Sequence, residues 1–286
     1  MGEIVFAAIC AHVPPLVTPQ GVRDWLSPDH PTTLIDGMHR MREKLDATNA
    51  DTFFIIDTHW LTTSNHIMDG ADHHKGTYTS DEVPLLINNV EYDYPGAPKL
   101  GDLIVQAAER NGLVNRVHNY KGGLPKHYGT LNLLKFLHSD QKVLSVGHCQ
   151  NADPHNFDDL GRFLAEAVTE YDGRVAILAS GGMSHMFHPF DVIFEPQNKT
   201  FHPSGVFSDK HRDLDYVIID HWKNGNHAAV LDLIPEFMTL SPEGEFSHYM
   251  IMAGALGSRD CTLEGEPYSN YENMIGTGQI HMVFKS

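Results

Sequence analysis

His12, His59 and His185 each follow an apolar run. The run at 4–10 leads into Ala11-His12-Val13-Pro14-Pro15, the run at 52–57 into Thr58-His59-Trp60, and the run at 174–179 into Ser180-Gly181-Gly182-Met183-Ser184-His185. Any one such histidine is more often a polar group tethering a loop. Three of them after three separate runs point to a metal or catalytic site. Imidazole suits Zn, Fe, Cu and Ni, and two imidazoles with one carboxylate form the open-faced ligand set of non-haem Fe(II) oxygenases. Acidic candidates for the third position are Glu236, Glu243 and Glu245, though the usual fate of a glutamate is a solvated surface. Asp57 stands two residues from His59, which suits it to orienting that histidine better than to ligation. His73, His74, His127, His155, His188 and His202 add candidates that pattern alone cannot rank.

These groups need elements to position them. Strands are expected at 4–10, 52–57, 142–146, 174–179 and 279–284. Apolar residues at helical spacing predict helices at 32–48, from Leu100 to the Asn111-Gly112 stop, from Leu160 to Val168, at 209–223, at 227–234 and at 246–256. Alternating strands and helices imply an α/β fold, a single domain over 1–286 with a central sheet flanked by helices. If the strands are parallel, their carboxyl ends, where ligands bind in such sheets, bring the three histidines to one crevice. The stretch 60–98 shows little periodicity, and long irregular segments in compact folds are often functional.

Composition narrows the partners. A net charge of −17 opposes nucleic acid and anionic membrane surfaces, and no run approaches the length of a membrane span. Cys10, Cys149 and Cys261 are widely spaced and odd in number, which fits a reducing cytoplasm better than a disulfide framework. Histidines number 20, as many as lysines and arginines together. Gly276-Thr277-Gly278 precedes an expected strand, so it is a poor dinucleotide loop, and no organic cofactor is expected.

Segments spread in order along the chain carry a family likeness: His12-Val13-Pro14, Asp57-Thr58-His59-Trp60, Ala71-Asp72-His73, Gly76-Thr77-Tyr78-Thr79-Ser80, Tyr128-Gly129-Thr130-Leu131, Ser184-His185 and Gly276-Thr277-Gly278-Gln279. Together they resemble the class III extradiol ring-cleaving dioxygenases, the superfamily of the protocatechuate 4,5-dioxygenase β-subunit, and within it the 3,4-dihydroxyphenylacetate (homoprotocatechuate) 2,3-dioxygenase branch. The resemblance implies Fe(II) held by His12, His59 and a glutamate of Pro242-Glu243-Gly244-Glu245, with His185 as the acid/base. It implies that Tyr128 takes the place of a histidine found in many relatives and donates a hydrogen bond to bound oxygen or substrate, while His127 is only a flank. It also implies insertion of both atoms of O2 into a catechol beside the diol, giving a muconic semialdehyde, and a homo-oligomer.

Glu243 is the preferred third ligand. It lies in a turn-forming stretch, and its Glu-Gly pair matches the branch; Glu245 would start the following helix and cap it. Three other readings stand beside this one: a metal-dependent hydrolase with the same ligands, a non-enzymatic binding protein on the same scaffold, and a dioxygenase acting on a 2-aminophenol or hydroquinone.

Overall fold

A computed structural model describes residues 1–195 and 198–285. In chain order its strands and helices are β1 (Glu3–Cys10), α1 (Gln20–Leu26), α2 (Leu34–Ala47), β2 (Thr52–Thr62), β3 (His66–Asp69), β4 (His73–Tyr78), β5 (Val90–Pro95), α3 (Pro98–Arg110), β6 (Val117–Tyr120), α4 (Tyr128–Leu137), β7 (Lys142–Cys149), α5 (Pro154–Glu170), β8 (Arg174–Ser180), α6 (Asp209–Lys223), α7 (His227–Phe237), α8 (Ser247–Ala255), β9 (Glu266–Pro267), β10 (Glu272–Met274), β11 (Thr277–Gln279) and β12 (Met282–Lys285).

The main sheet runs β6-β3-β7-β2-β8-β1-β12-β9. Its centre, β7-β2-β8-β1, is parallel throughout. Both faces of these strands are buried, which is why they read as continuous apolar runs. In β1, Ala7 and Ile9 face the core under α3, α5, α6, α7 and α8; Phe6, Ala8 and Cys10 face α2, α4 and the β4–β5 hairpin. The period-two split of one strand between two cores is what requires helices on both faces. The expected α/β architecture, with a helix-flanked central sheet, is the one observed.

Local chemistry fixes the helix ends. Pro98 starts α3, where a missing N–H costs nothing. Asn111 and Gly112 end it, Gly112 at φ +87°, a conformation glycine adopts without a Cβ clash. Asp153 and Asn156 form a capping box at the start of α5.

Several expectations fail in detail. β2 does not stop at Asp57 but runs to Thr62, with a break in register: Asp57 pairs with Gly147, and the next pair is Leu61 with His148. Thr58, His59 and Trp60 are therefore extruded as a wide bulge. Gly147 permits it, because a Cβ there would lie 2.5 Å from the Trp60 carbonyl oxygen. The stretch 60–98 is not irregular; it holds β3, β4 and β5. These strands are four to six residues long and rich in His, Asp and Tyr, too short and too polar to leave a periodic signal. The expected strand 279–284 is split: β11 pairs with β10, and β12 pairs with β1 and β9. Helices α1 and α4 were not expected. The helical run 246–256 is borne out as α8.

Candidate metal centre

The parallel centre of the sheet delivers the histidines as anticipated. His12 follows β1, His59 rides the bulge of β2, and His185 follows the loop after β8. Glu243 arrives from the last quarter of the chain, at the start of a tight turn in which Gly244, Glu245 and Phe246 all have positive φ. Backbone bonds dock that turn onto the β8 loop: the Glu243 amide donates to the Met183 carbonyl at 3.1 Å, and the His185 amide to the Ser241 carbonyl at 3.1 Å. His12, His59 and Glu243 each offer one ligand atom, and these atoms lie within 4.8 Å of one another.

Proton positions follow from the partners. The Ser180 hydroxyl donates its only proton to the Gly129 carbonyl at 2.5 Å, so toward His12 Nδ1, 2.9 Å away, it can only accept. His12 then carries its proton on Nδ1 and turns the bare Nε2 lone pair to Glu243 Oε1 at 3.0 Å. His59 Nδ1 lies 2.7 Å from a Glu82 carboxylate oxygen, an acceptor, so its proton is also on Nδ1 and its Nε2 also faces Glu243 Oε1, at 3.6 Å. Two neutral imidazole lone pairs and a carboxylate pointed at one another repel unless a cation lies among them. The donor set thus fits a divalent metal held by two nitrogens and one oxygen.

Glu243 is held in its ionised form. Burial alone would raise its pKa, and His12, His185 and His59 lower it only while they carry a proton; with neutral rings that stabilisation falls to a cation among them. Thr58 Oγ1 donates to its Oε1 at 2.5 Å and the Gly182 amide to its Oε2 at 2.6 Å. Burial opposes protonation of His59, yet Glu82 and Glu243 together raise its pKa, a sign of negative potential that would attract a cation. His185 Nε2 stands 4.0 Å from Glu243 Oε2, outside the ligand group, and burial lowers its pKa so that it is neutral near pH 7. The Tyr128 ring lies 4.0 Å from the His59 ring, tilted by 39°, and its centroid is 5.5 Å from that of His12. The Tyr128 hydroxyl donates to Glu82 Oε2 at 3.2 Å. The donation to oxygen or substrate anticipated for it is therefore not its resting arrangement; toward a ligand its oxygen is an acceptor.

The other candidates lie elsewhere. Asp57 does not touch the His59 ring. It accepts from the His59 backbone amide at 2.9 Å and from the Thr130 hydroxyl at 2.7 Å, tying the bulge to the first turn of α4. Glu245 is no helix cap: it sits before α8 at φ +53°, and α8 has no side-chain cap. Glu236 is exposed on α7, and His127 is the residue before α4, outside the ligand cluster. His73 pairs with Asp93 and His74 is buried beside Lys126; His155, His188 and His202 bond nearby groups. Sequence reasoning missed Ser180, Thr58, Gly182 and Glu82. Ser180 and Thr58 lay inside quoted motifs; Glu82 lay inside the stretch singled out as functional.

The similarities of the chain agree with this geometry. The family described as the catalytic LigB subunit of aromatic ring-opening dioxygenase matches residues 6–285. The 3,4-dihydroxyphenylacetate 2,3-dioxygenase of Escherichia coli is 29% identical over 267 residues, which is 90% of this chain and 91% of that protein. The 2-aminophenol 1,6-dioxygenase beta subunit of a Pseudomonas species is 24% identical over 255 residues, covering 83% of this chain and 80% of that one. A crystal structure of an uncharacterized protein from Escherichia coli K12 matches with a TM-score of 0.59 at 14% identity, covering 98% of this chain and 99% of that one; it shows the fold alone.

Proposed function

The chain belongs to the LigB family of aromatic ring-opening dioxygenases, and from that premise we propose that it is an Fe(II) enzyme that cleaves 3,4-dihydroxyphenylacetate or a close para-substituted catechol next to the diol. Extradiol ring cleavage is its activity class. The observation that carries the metal reading is the convergence of His12 Nε2, His59 Nε2 and a Glu243 oxygen, with both histidine protons drawn to the far nitrogen.

When bound, the iron supplies a Lewis acid that lowers the pKa of a substrate hydroxyl and a redox centre for O2. The chain supplies the rest. His12, His59 and Glu243 would hold the metal with three protein atoms, and a metal so held could take a two-oxygen chelate from the substrate. Holding substrate and O2 together removes the entropy cost of assembling them. His185, neutral and beside Glu243, takes the proton of the second hydroxyl at its ring nitrogen and returns it as an acid. Tyr128 accepts a hydrogen bond from the substrate while its own O–H points to Glu82. A homo-oligomer is the assembly that accompanies this reading.

The substrate assignment follows the relative at 29% identity. The 2-aminophenol-type relative supports a second reading in which an amine replaces one hydroxyl in the chelate. Metal-stripped protein is loaded with Fe(II) or Zn(II) without oxygen, and O2 uptake and the yellow semialdehyde are followed across catechols, 2-aminophenol, hydroquinone and gallate. We expect turnover with Fe(II) only, fastest on 3,4-dihydroxyphenylacetate. Equal rates with Zn(II) would reject the iron assignment, and a preference for 2-aminophenol would move the substrate to the second reading.

A further inference from the structure

We propose that Glu82 is a positioning residue of the metal centre, which aims the ring of His59 with one carboxylate oxygen and holds the hydroxyl of Tyr128 with the other. The inference rests on the reading of His12, His59 and Glu243 as metal ligands. Its geometry is a closed triangle. Glu82 Oε1 lies 2.7 Å from His59 Nδ1, Glu82 Oε2 accepts from Tyr128 at 3.2 Å, and the His59 and Tyr128 rings pack at 4.0 Å. A carboxylate cannot donate, so it fixes which His59 nitrogen is bare and which way it points. It also increases the basicity of that nitrogen toward a metal.

The two histidine ligands are thus oriented by different means. His12 is held by a buried, neutral hydroxyl that is itself committed to a backbone carbonyl. His59 is held by a carboxylate that is half exposed. As an ion pair alone, an exposed contact of this kind contributes little. Its effect is directional, and the chain braces it. Glu82 lies in the connection between β4 and β5, where the Ser80 amide donates to the Ile87 carbonyl at 3.0 Å and the Val83 amide to Ser80 Oγ at 3.1 Å. The Leu86 and Ile87 amides both donate to the Val83 carbonyl at 3.0 Å. Glu82 therefore projects from a closed turn. Without this turn the Nδ1 side of the His59 ring would lose the hydrogen-bond partner that sets its tautomer and tilt, leaving ring packing alone to hold it.

The test uses the full chain as wild type, Glu82→Ala, Glu82→Gln and Glu82→Asp. Metal-free proteins are titrated with Co(II) against a competing chelator, with the visible bands of bound Co(II) and the thermal unfolding of each metal-free form recorded alongside. We expect Glu82→Ala to weaken Co(II) binding about 10- to 100-fold and to change the Co(II) bands. Glu82→Gln, which keeps an acceptor oxygen for His59, should recover part of that loss, and metal-free unfolding should be unchanged across the set. Wild-type affinity in Glu82→Ala overturns the proposal. So does a loss of binding that merely follows a loss of folded protein. Failure of the wild type itself to bind Co(II) overturns the metal-site reading and this one with it, so the two failures are told apart by the wild-type titration.

Discussion

Glu243 is buried among three imidazoles, where an ionised carboxylate needs hydrogen-bond donors and a positive charge to balance its burial. Its roles and those of its neighbours separate by substitution. Glu243→Ala removes the anionic member of the proposed ligand set, and we expect bound iron and activity to be lost together. Glu245→Ala should keep its iron, since that side chain makes neither a cap nor a ligand contact. His185→Phe should also keep its iron but lose about 10²–10⁴ in turnover, the usual scale for acid/base catalysis. Iron content and turnover of the three purified variants decide the assignment. Full iron in the Glu243 variant with loss in the Glu245 variant would reverse the ligand, and loss of iron in the His185 variant would make that residue a ligand too.

At the scale of elements, the site depends on a flaw in a strand. A regular β2 would send alternate side chains to opposite faces and place His59 by register alone. The bulge instead extrudes three residues between Asp57 and Leu61, and Asp57 holds its neck to α4. Gly147 on β7 makes the room. Gly147→Ala would put a Cβ 2.5 Å from the Trp60 carbonyl oxygen, a backbone atom that cannot turn aside. We expect a stability loss on the order of 1–3 kcal/mol and metal affinity reduced at least tenfold, as His59 is displaced. Gly21→Ala in α1, where an added Cβ meets nothing within 4 Å, is the control and should be neutral or stabilising by up to about 1 kcal/mol. Urea unfolding and Co(II) titration of both variants check this; equal behaviour would mean that the bulge adjusts freely.

The whole molecule carries a built-in sensitivity to acid. His281 is fully buried with a fixed tautomer: the Ala11 amide donates to its Nδ1 at 3.1 Å, and its Nε2 donates to the Leu34 carbonyl at 3.1 Å. Burial pushes its pKa down to about 3. In the unfolded chain the same group titrates near 6.5, so between those values the unfolded state binds the extra proton and stability falls as pH falls. His66 and His248, both lowered to about 4 by burial, act in the same direction. For His281 alone, lowering the pH from 7 to 5 should cost about 2 kcal/mol. His281→Gln removes that titration. Urea unfolding at both pH values should show the wild type losing more stability than the variant by about this amount; equal losses would refute the account. No described helix is long and apolar enough to cross a membrane, and the three cysteines are free and buried.

What the sequence determined by itself follows from short-range pattern. Apolar runs at 4–10, 52–57 and 174–179 read as strands buried on both faces, and such strands are typically parallel and covered by helices. If parallel, such strands bring the histidines at their carboxyl ends to one crevice, so His12, His59 and His185 were legible as a group from the sequence. Glu243 was legible only through the family resemblance, since pattern alone left Glu236, Glu243 and Glu245 equally open. The tertiary structure alone decided how these groups are aimed. The length of β2, the bulge permitted by Gly147, the Ser180 bond to His12 across 168 residues and the Glu82 bond to His59 across 23 leave no periodic trace, because each is a single contact between side chains or backbones brought together by other parts of the chain. A strand is written in the repetition of its own residues. The direction of an imidazole lone pair is set by one distant hydrogen-bond partner, and that partner has an address only once the sheet has formed.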